Sequence, residues 1–236
     1  MSRLIRLVFC LALCVSTPAL AGFGSSLPRS EEVTLKELIP FASWQKQFQI
    51  TEGKDRGKVV PLSFRHDPTN GKHWKLIFGD YAGVYMRQDP DGTLAMERLD
   101  LFKSHSFILY EPALPVLSPA LTAGGASRRQ ADFKMYDAET GKLKRLGRAT
   151  HLLKQVSQSR FETPAGFIDG YFIQIDHRMN MQFAQLDLSL GLGFRLDDGP
   201  VFGSGNYTLT KLGLFTETKT AAAALTKITA GVPPLR

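Results

Sequence analysis

The chain has 236 residues, a formal charge of +7 and only two cysteines, Cys10 and Cys14. That length builds one generous domain or two small ones, and 43 % apolar residues supply a core. The basic excess is spread too thinly for a nucleic-acid surface but suits anionic membrane surfaces or cell-wall polymers. With both cysteines inside a cleavable leader, the rest of the chain has no disulfide, thiolate nucleophile or cysteine metal site.

Residues 1–21 read as a signal peptide. Arg3 and Arg6 precede an apolar run from Leu7 to Val15, and Ala19-Leu20-Ala21 is an A-x-A cleavage site. Residues 22–32 read as a flexible leader, 33–230 as a single antiparallel β domain and 231–236 as a tail. Pro40 separates a short helix, Thr34 to Ile39, from a stretch that fits either period: Phe41, Trp44 and Phe48 share a helical face, whereas Phe48 and Ile50 suit a strand.

From residue 59 the pattern is a meander. Strands are expected at 59–64, 74–78, 82–87, 93–102 and 106–110, with D-P-T-N-G-K (67–72) and D-P-D-G (89–92) as turns. Pro112 to Gly125 has three prolines and no charge. Proline removes ladder donors, so this stretch is expected to be a greasy loop. It would plug the mouth of the sheet, or form a lid through Leu114, Val116, Leu117 and Leu121.

Strands resume at 130–136, 143–146, 149–162 and 168–175. Then comes Ala184 to Leu196, where every even position is apolar and every odd one polar or glycine. A period of two held that long is a strand with one greasy face. It exceeds the usual strand length, so a bend is expected at Gly191 and Gly193. The greasy face makes Leu186, Leu188, Leu190, Leu192 and Phe194 candidate ligand-binding residues on a concave sheet. A last strand at 207–216 precedes an alanine-rich terminal helix, Thr220 to Ile228.

No catalytic residue stands out. The five histidines are scattered singly, without metal-ligand spacing, and Asp176-His177 and His66-Asp67 read as surface pairs. Gly203-Ser204-Gly205 lacks the outer glycine spacing of a nucleophile elbow. Asp197-Asp198 and Asp89-Pro90-Asp91-Gly92 are explained by turn chemistry. No metal and no cofactor is implied.

The run Phe161-Glu162-Thr163-Pro164-Ala165-Gly166, the strand after it and a later Gly199-Pro200-Val201 resemble a group of exported bacterial β-domains. In these a T-P-A-G hairpin precedes a sheet strand and a G-P-V segment opens a late one. Their architecture looks akin to the open half-barrels of the LolA-type lipoprotein carriers. The resemblance covers residues 130 to 216, brings no catalytic residues, and implies a curved sheet, a hydrophobic concavity and a periplasmic setting.

The expected fold is mainly β: one curved antiparallel sheet, a half-barrel or open barrel, with one or two short helices. The expected protein is non-enzymatic and exported to the periplasm of a Gram-negative bacterium. Its expected partners are a lipid or another hydrophobic small molecule, and a membrane surface or envelope protein. The alternatives are a small outer-membrane β-barrel and a hydrolase whose site assembles only in space.

Overall fold

The computed structural model describes residues 33–121 and 128–226; the expected signal peptide, leader and tail, and residues 122–125 of the expected lid, lie outside them. The elements are β1 (Val33–Thr34), α1 (Leu35–Leu38), β2 (Trp44–Glu52), β3 (Val59–His66), β4 (His73–Phe78), β5 (Ala82–Gln88) and β6 (Leu94–Leu101). They continue as β7 (Ser106–Leu117), β8 (Ala120–Leu121), β9 (Arg129–Asp137), β10 (Leu143–Thr163), β11 (Gly166–Met181), β12 (Ala184–Arg195), β13 (Gly199–Lys211) and β14 (Phe215–Leu225).

Twelve strands form a closed antiparallel barrel, not the open half-barrel expected from the sequence. Neighbours in sequence pair as hairpins, which the turn signals foretell. Closure depends on two joins with no local signature. Strand β14 pairs with β2 through Ala222–Leu225 and Phe48–Glu52. Strand β9 is clasped between β7 and β10. Closing the sheet leaves no free edge among these twelve strands.

Three further expectations are corrected. The greasy loop at 112–117 is the second half of β7, which pairs with β6 at Leu114, Pro115 and Leu117. Prolines are tolerated there because β9 leaves β7 after Glu111, so no ladder donor is needed on that side. The segments at 143–146 and 149–162 are one strand of 21 residues. The expected terminal helix is, as far as Leu225, the end of β14, with Ala221 to Leu225 all buried; residues 227–228 lie outside the described residues. Alanine favours a helix locally, but here both faces of the sheet are covered, and only small side chains fit on both. Ala221 and Ala223 oppose Gly205 and Gly203, while Ala224 opposes Phe202, itself stacked on Phe161 at 5.7 Å.

Strand β12 keeps the expected alternation from Ala184 to Arg195, while Leu196 falls in the following turn and is exposed. The register shifts between Gly193 and Phe194, at the expected bend. The glycines also make room: a Cβ on Gly191 would lie 2.7 Å from the Phe172 ring, and one on Gly193 2.7 Å from Phe161. The T-P-A-G turn joins β10 to β11, with Gly166 in the left-handed region at φ 104 and the Thr163 hydroxyl donating to its carbonyl at 2.8 Å. Gly199 opens β13.

The short helix is present. Thr34 caps α1, its backbone N–H donating to the Glu37 carboxylate at 2.7 Å. Leu35 and Leu38 are fully buried, so this turn of helix plugs one end of the barrel. The plug is tied by β1–β8 pairing, by Leu35 N–H to the Pro119 carbonyl (2.8 Å) and by Asp197 N–H to the Glu37 carbonyl (2.7 Å). The turns at 53–58, 79–81, 102–105, 138–142, 182–183 and 212–214 form the opposite end.

Candidate functional site

Alternation decides what each strand offers to the interior. Along β11, Tyr171, Ile173, Ile175, His177 and Met179 face the core, paired with Phe194, Leu192, Leu190, Leu188 and Leu186 of β12. Three of the five candidate ligand residues, Leu186, Leu188 and Phe194, are buried against protein side chains. Leu190 and Leu192 are only half-buried. Beyond Leu192 lies its partner Gly203, and a Cβ built there meets nothing within 4 Å. The core-facing side therefore keeps open space at this point, while Leu38, Ile173 and Ile175 are among the buried residues of the plug-end cluster.

Aromatic rings wall the same cluster. Trp44 stacks on Phe64 at 5.6 Å, Phe64 on Trp74 at 4.7 Å, and Phe41 meets Trp74 edge-on at 5.4 Å. Both indole N–H groups, of Trp44 and Trp74, are buried without a hydrogen-bond partner. An orphaned buried donor is costly, on the order of 1–3 kcal/mol. The candidate lid residues belong to this wall or to the core beside it. Leu117 and Leu121 are buried in the plug-end cluster, Leu114 is buried in the other half of the core, and Val116 packs against both.

Deeper in the barrel, His151 and His177 face each other across β10 and β11, with ring centroids 5.8 Å apart, and Tyr110 stands 6.4 Å from His177. The surface position expected for His177 is thus corrected: it continues the parity of Ile173 and Ile175, and parity outranks its polarity. The His151 Nε2–H donates to the Val116 carbonyl at 2.9 Å, because a carbonyl only accepts. That contact satisfies β7 where β9 has departed. Burial pushes the His151 ring down to about 4 and the His177 ring, further lowered by His151, down to about 3. Burial also raises the Tyr110 phenol. Neutral rings and a protonated phenol form a polar inclusion in an apolar core.

The opposite face of β9 to β13 carries a groove of about 480 Å³, lined by Arg148, Thr150, Arg178, Asn180, Asp187 and Asn206 among others. Four of its five charged lining residues are paired: Arg178 with Asp187, Arg148 with Asp132 (2.9 Å) and Asp176 with Lys154 (3.0 Å), which leaves Arg128. Among the described residues no hydrogen-bonded nucleophile–base pair lines it. Ser43 and Lys46 have the spacing of a serine–lysine dyad, a pattern the sequence reading passed over. The Ser43 hydroxyl accepts the His66 N–H at 3.3 Å, and Lys46 is held by Asp198 at 2.9 Å. Burial lowers the Lys46 ammonium, with Asp198 opposing it. Among the described residues no three histidine, cysteine, aspartate or glutamate side chains converge as a metal site.

No family model matches the chain, and no curated protein matches it. A solved structure that aligns with it is a provisionally assigned lipoprotein from Parabacteroides distasonis ATCC 8503. That structure is 12 % identical, aligned over 84 % of this chain and 99 % of the other, with a TM-score of 0.34. At that score the likeness supports no conclusion about fold or role.

Proposed function

We propose that this β-barrel is a non-catalytic protein of the bacterial cell envelope that holds an apolar ligand, a lipid chain or a molecule of similar shape. The ligand lies between Leu190 and Leu192 of β12 and the N-terminal plug. The observation that carries this reading is the open space at Gly203, on the core-facing side and flanked by two half-buried leucines. Nearby indole donors without partners suit a ligand with one polar atom at its end. The N-terminal pattern, with its Ala19-Leu20-Ala21 site, supports export.

Strand polarity favours this reading over an outer-membrane barrel. A membrane barrel turns an apolar band outward. Here mid-strand ion pairs such as Arg178–Asp187 and Arg98–Asp100 occupy the face opposite the core.

The test is titration with an environment-sensitive fluorescent fatty acid, using the native chain and Gly203→Phe. The substitution fills the space without meeting another atom at its Cβ, so folding is retained and binding is lost. Equal binding by both chains, or none by the native one, overturns the proposal.

A further inference from the structure

The two ends of the barrel differ in their surfaces. Six of the ten exposed large hydrophobic side chains among the described residues lie in or beside three neighbouring turns of the unplugged end, 138–142, 182–183 and 212–214: Leu143, Leu146, Phe183, Leu212, Leu214 and Phe215. Strand register brings them together. Gly147 pairs with Met181 and Ala184 with Lys211, and the Leu212 N–H donates to the Phe183 carbonyl at 2.9 Å. Leu214 is 81 % exposed, Phe215 67 % and Phe183 64 %. Phe183, Leu212 and Leu214 lie in turns, and Leu143, Leu146 and Phe215 at the adjoining strand ends, so this is not a flat face left open by a missing strand.

The β13–β14 turn is unfavourable twice over for a site washed only by water. Leu212 holds a left-handed backbone at φ 52, where asparagine or glycine fits better. Two leucines and a phenylalanine also stand in solvent there. Contiguous exposed apolar surface of this kind marks an interaction site.

The charges around the tips identify the partner. Among the described residues, Lys142, Arg145 and Lys211 form no ion pair, and the Arg145 guanidinium donates only to the Lys144 carbonyl at 2.6 Å. The acids of the same turns are already engaged: Asp137 with Lys144 at 2.7 Å, Glu139 with His105 at 3.1 Å, and Glu217 with Lys219. What remains is apolar tips ringed by unneutralised cations.

The geometry points to this end of the barrel as a docking face for an anionic phospholipid bilayer. Phe183, Leu212, Leu214 and Phe215 enter the boundary between headgroups and acyl chains, and Lys142, Arg145 and Lys211 meet the lipid phosphates. The plug end then points away from the membrane, and both described termini, Val33 and Thr226, lie toward that far end. This inference stands independently of the ligand space at Gly203.

Vesicle sedimentation tests it, using the full chain as its host processes it. Vesicles of two parts phosphatidylcholine to one part phosphatidylglycerol are compared with phosphatidylcholine alone. The native protein partitions onto the anionic vesicles, less so as salt is raised. The triple variant F183S/L214S/F215S loses that partition by roughly tenfold or more, because each apolar tip contributes and all three are removed. It keeps its thermal midpoint, since the three side chains are exposed. The pair K142E/K211E loses the preference for phosphatidylglycerol. A Phe183→Trp reporter shifts its emission to the blue on anionic vesicles, against Trp44 and Trp74, which are buried toward the other end. Native protein that stays in the supernatant overturns the inference, as does a triple variant that binds as the native chain does. So does self-association through these side chains without vesicle binding, which would make the tips a contact between copies.

Discussion

Acid should destabilise this barrel well above the pH at which carboxylates titrate, and the cause is the buried pair His151 and His177. In the folded chain burial holds the two rings at about 4 and about 3; in the unfolded chain each returns to about 6.5. The unfolded state therefore binds more protons between those values, and stability falls as pH falls. It is full above roughly pH 6.5, drops through the window beneath, and levels off only below the folded values. Going from about pH 7.5 to about pH 5, each ring costs roughly 2 kcal/mol, so the pair costs roughly 4. The result barely depends on whether a folded value is 3 or 4, because both lie at least a unit below the final pH. Urea denaturation followed by tryptophan fluorescence measures it. With an m-value of about 2–3 kcal/mol/M, the midpoint falls by roughly 1.3–2 M. His177→Leu, which also removes an unpartnered Nε2, should halve the loss. A native protein that loses less than about 1 kcal/mol, or a variant that loses as much as the native chain, refutes the reasoning.

Two substitutions probe the frame. A Cβ on Gly147 would stand 1.9 Å from the Asn180 carbonyl oxygen, where β10 passes β11, so Gly147→Ala should cost about 3 kcal/mol or more, read as a fall in the thermal midpoint. Asp198→Ala strands the Lys46 ammonium, whose side chain is 10 % exposed, and should cost about 3–5 kcal/mol. The double variant K46M/D198A should recover most of that loss, and a double-mutant cycle with K46M and D198A on chemical denaturation checks it.

Where the sequence was legible, the reason was local. The short helix before Pro40, the D-P-D-G and T-P-A-G turns and the leucine alternation of β12 each depend on residues close in sequence, and each appears where the pattern placed it. His177 was misread because its polarity was weighed above its place in the Tyr171–Ile173–Ile175 series. The alanines at 221–224 were misread because helix propensity is intrinsic to the residue, whereas the glycines and phenylalanine they face lie on β13. Pro112 and Pro115 read as a loop because nothing nearby says that β9 has already left that side of β7. The candidate site was half legible. The stripe Leu186 to Phe194 marked the core-facing side of β12, but only packing against distant segments decided that Leu190 and Leu192 stay half-buried while the others are buried.

What the amino-acid order determined by itself was strand after strand, each with a wet and a greasy side, because alternation and turn chemistry are properties of neighbouring residues. Closure into a twelve-stranded barrel was decided only by tertiary structure. So were the plug at one end, the histidine pair inside and the gathering of Phe183, Leu212, Leu214 and Phe215 at the other. Each of these rests on pairings between distant segments, and their free energy appears only when the strands meet.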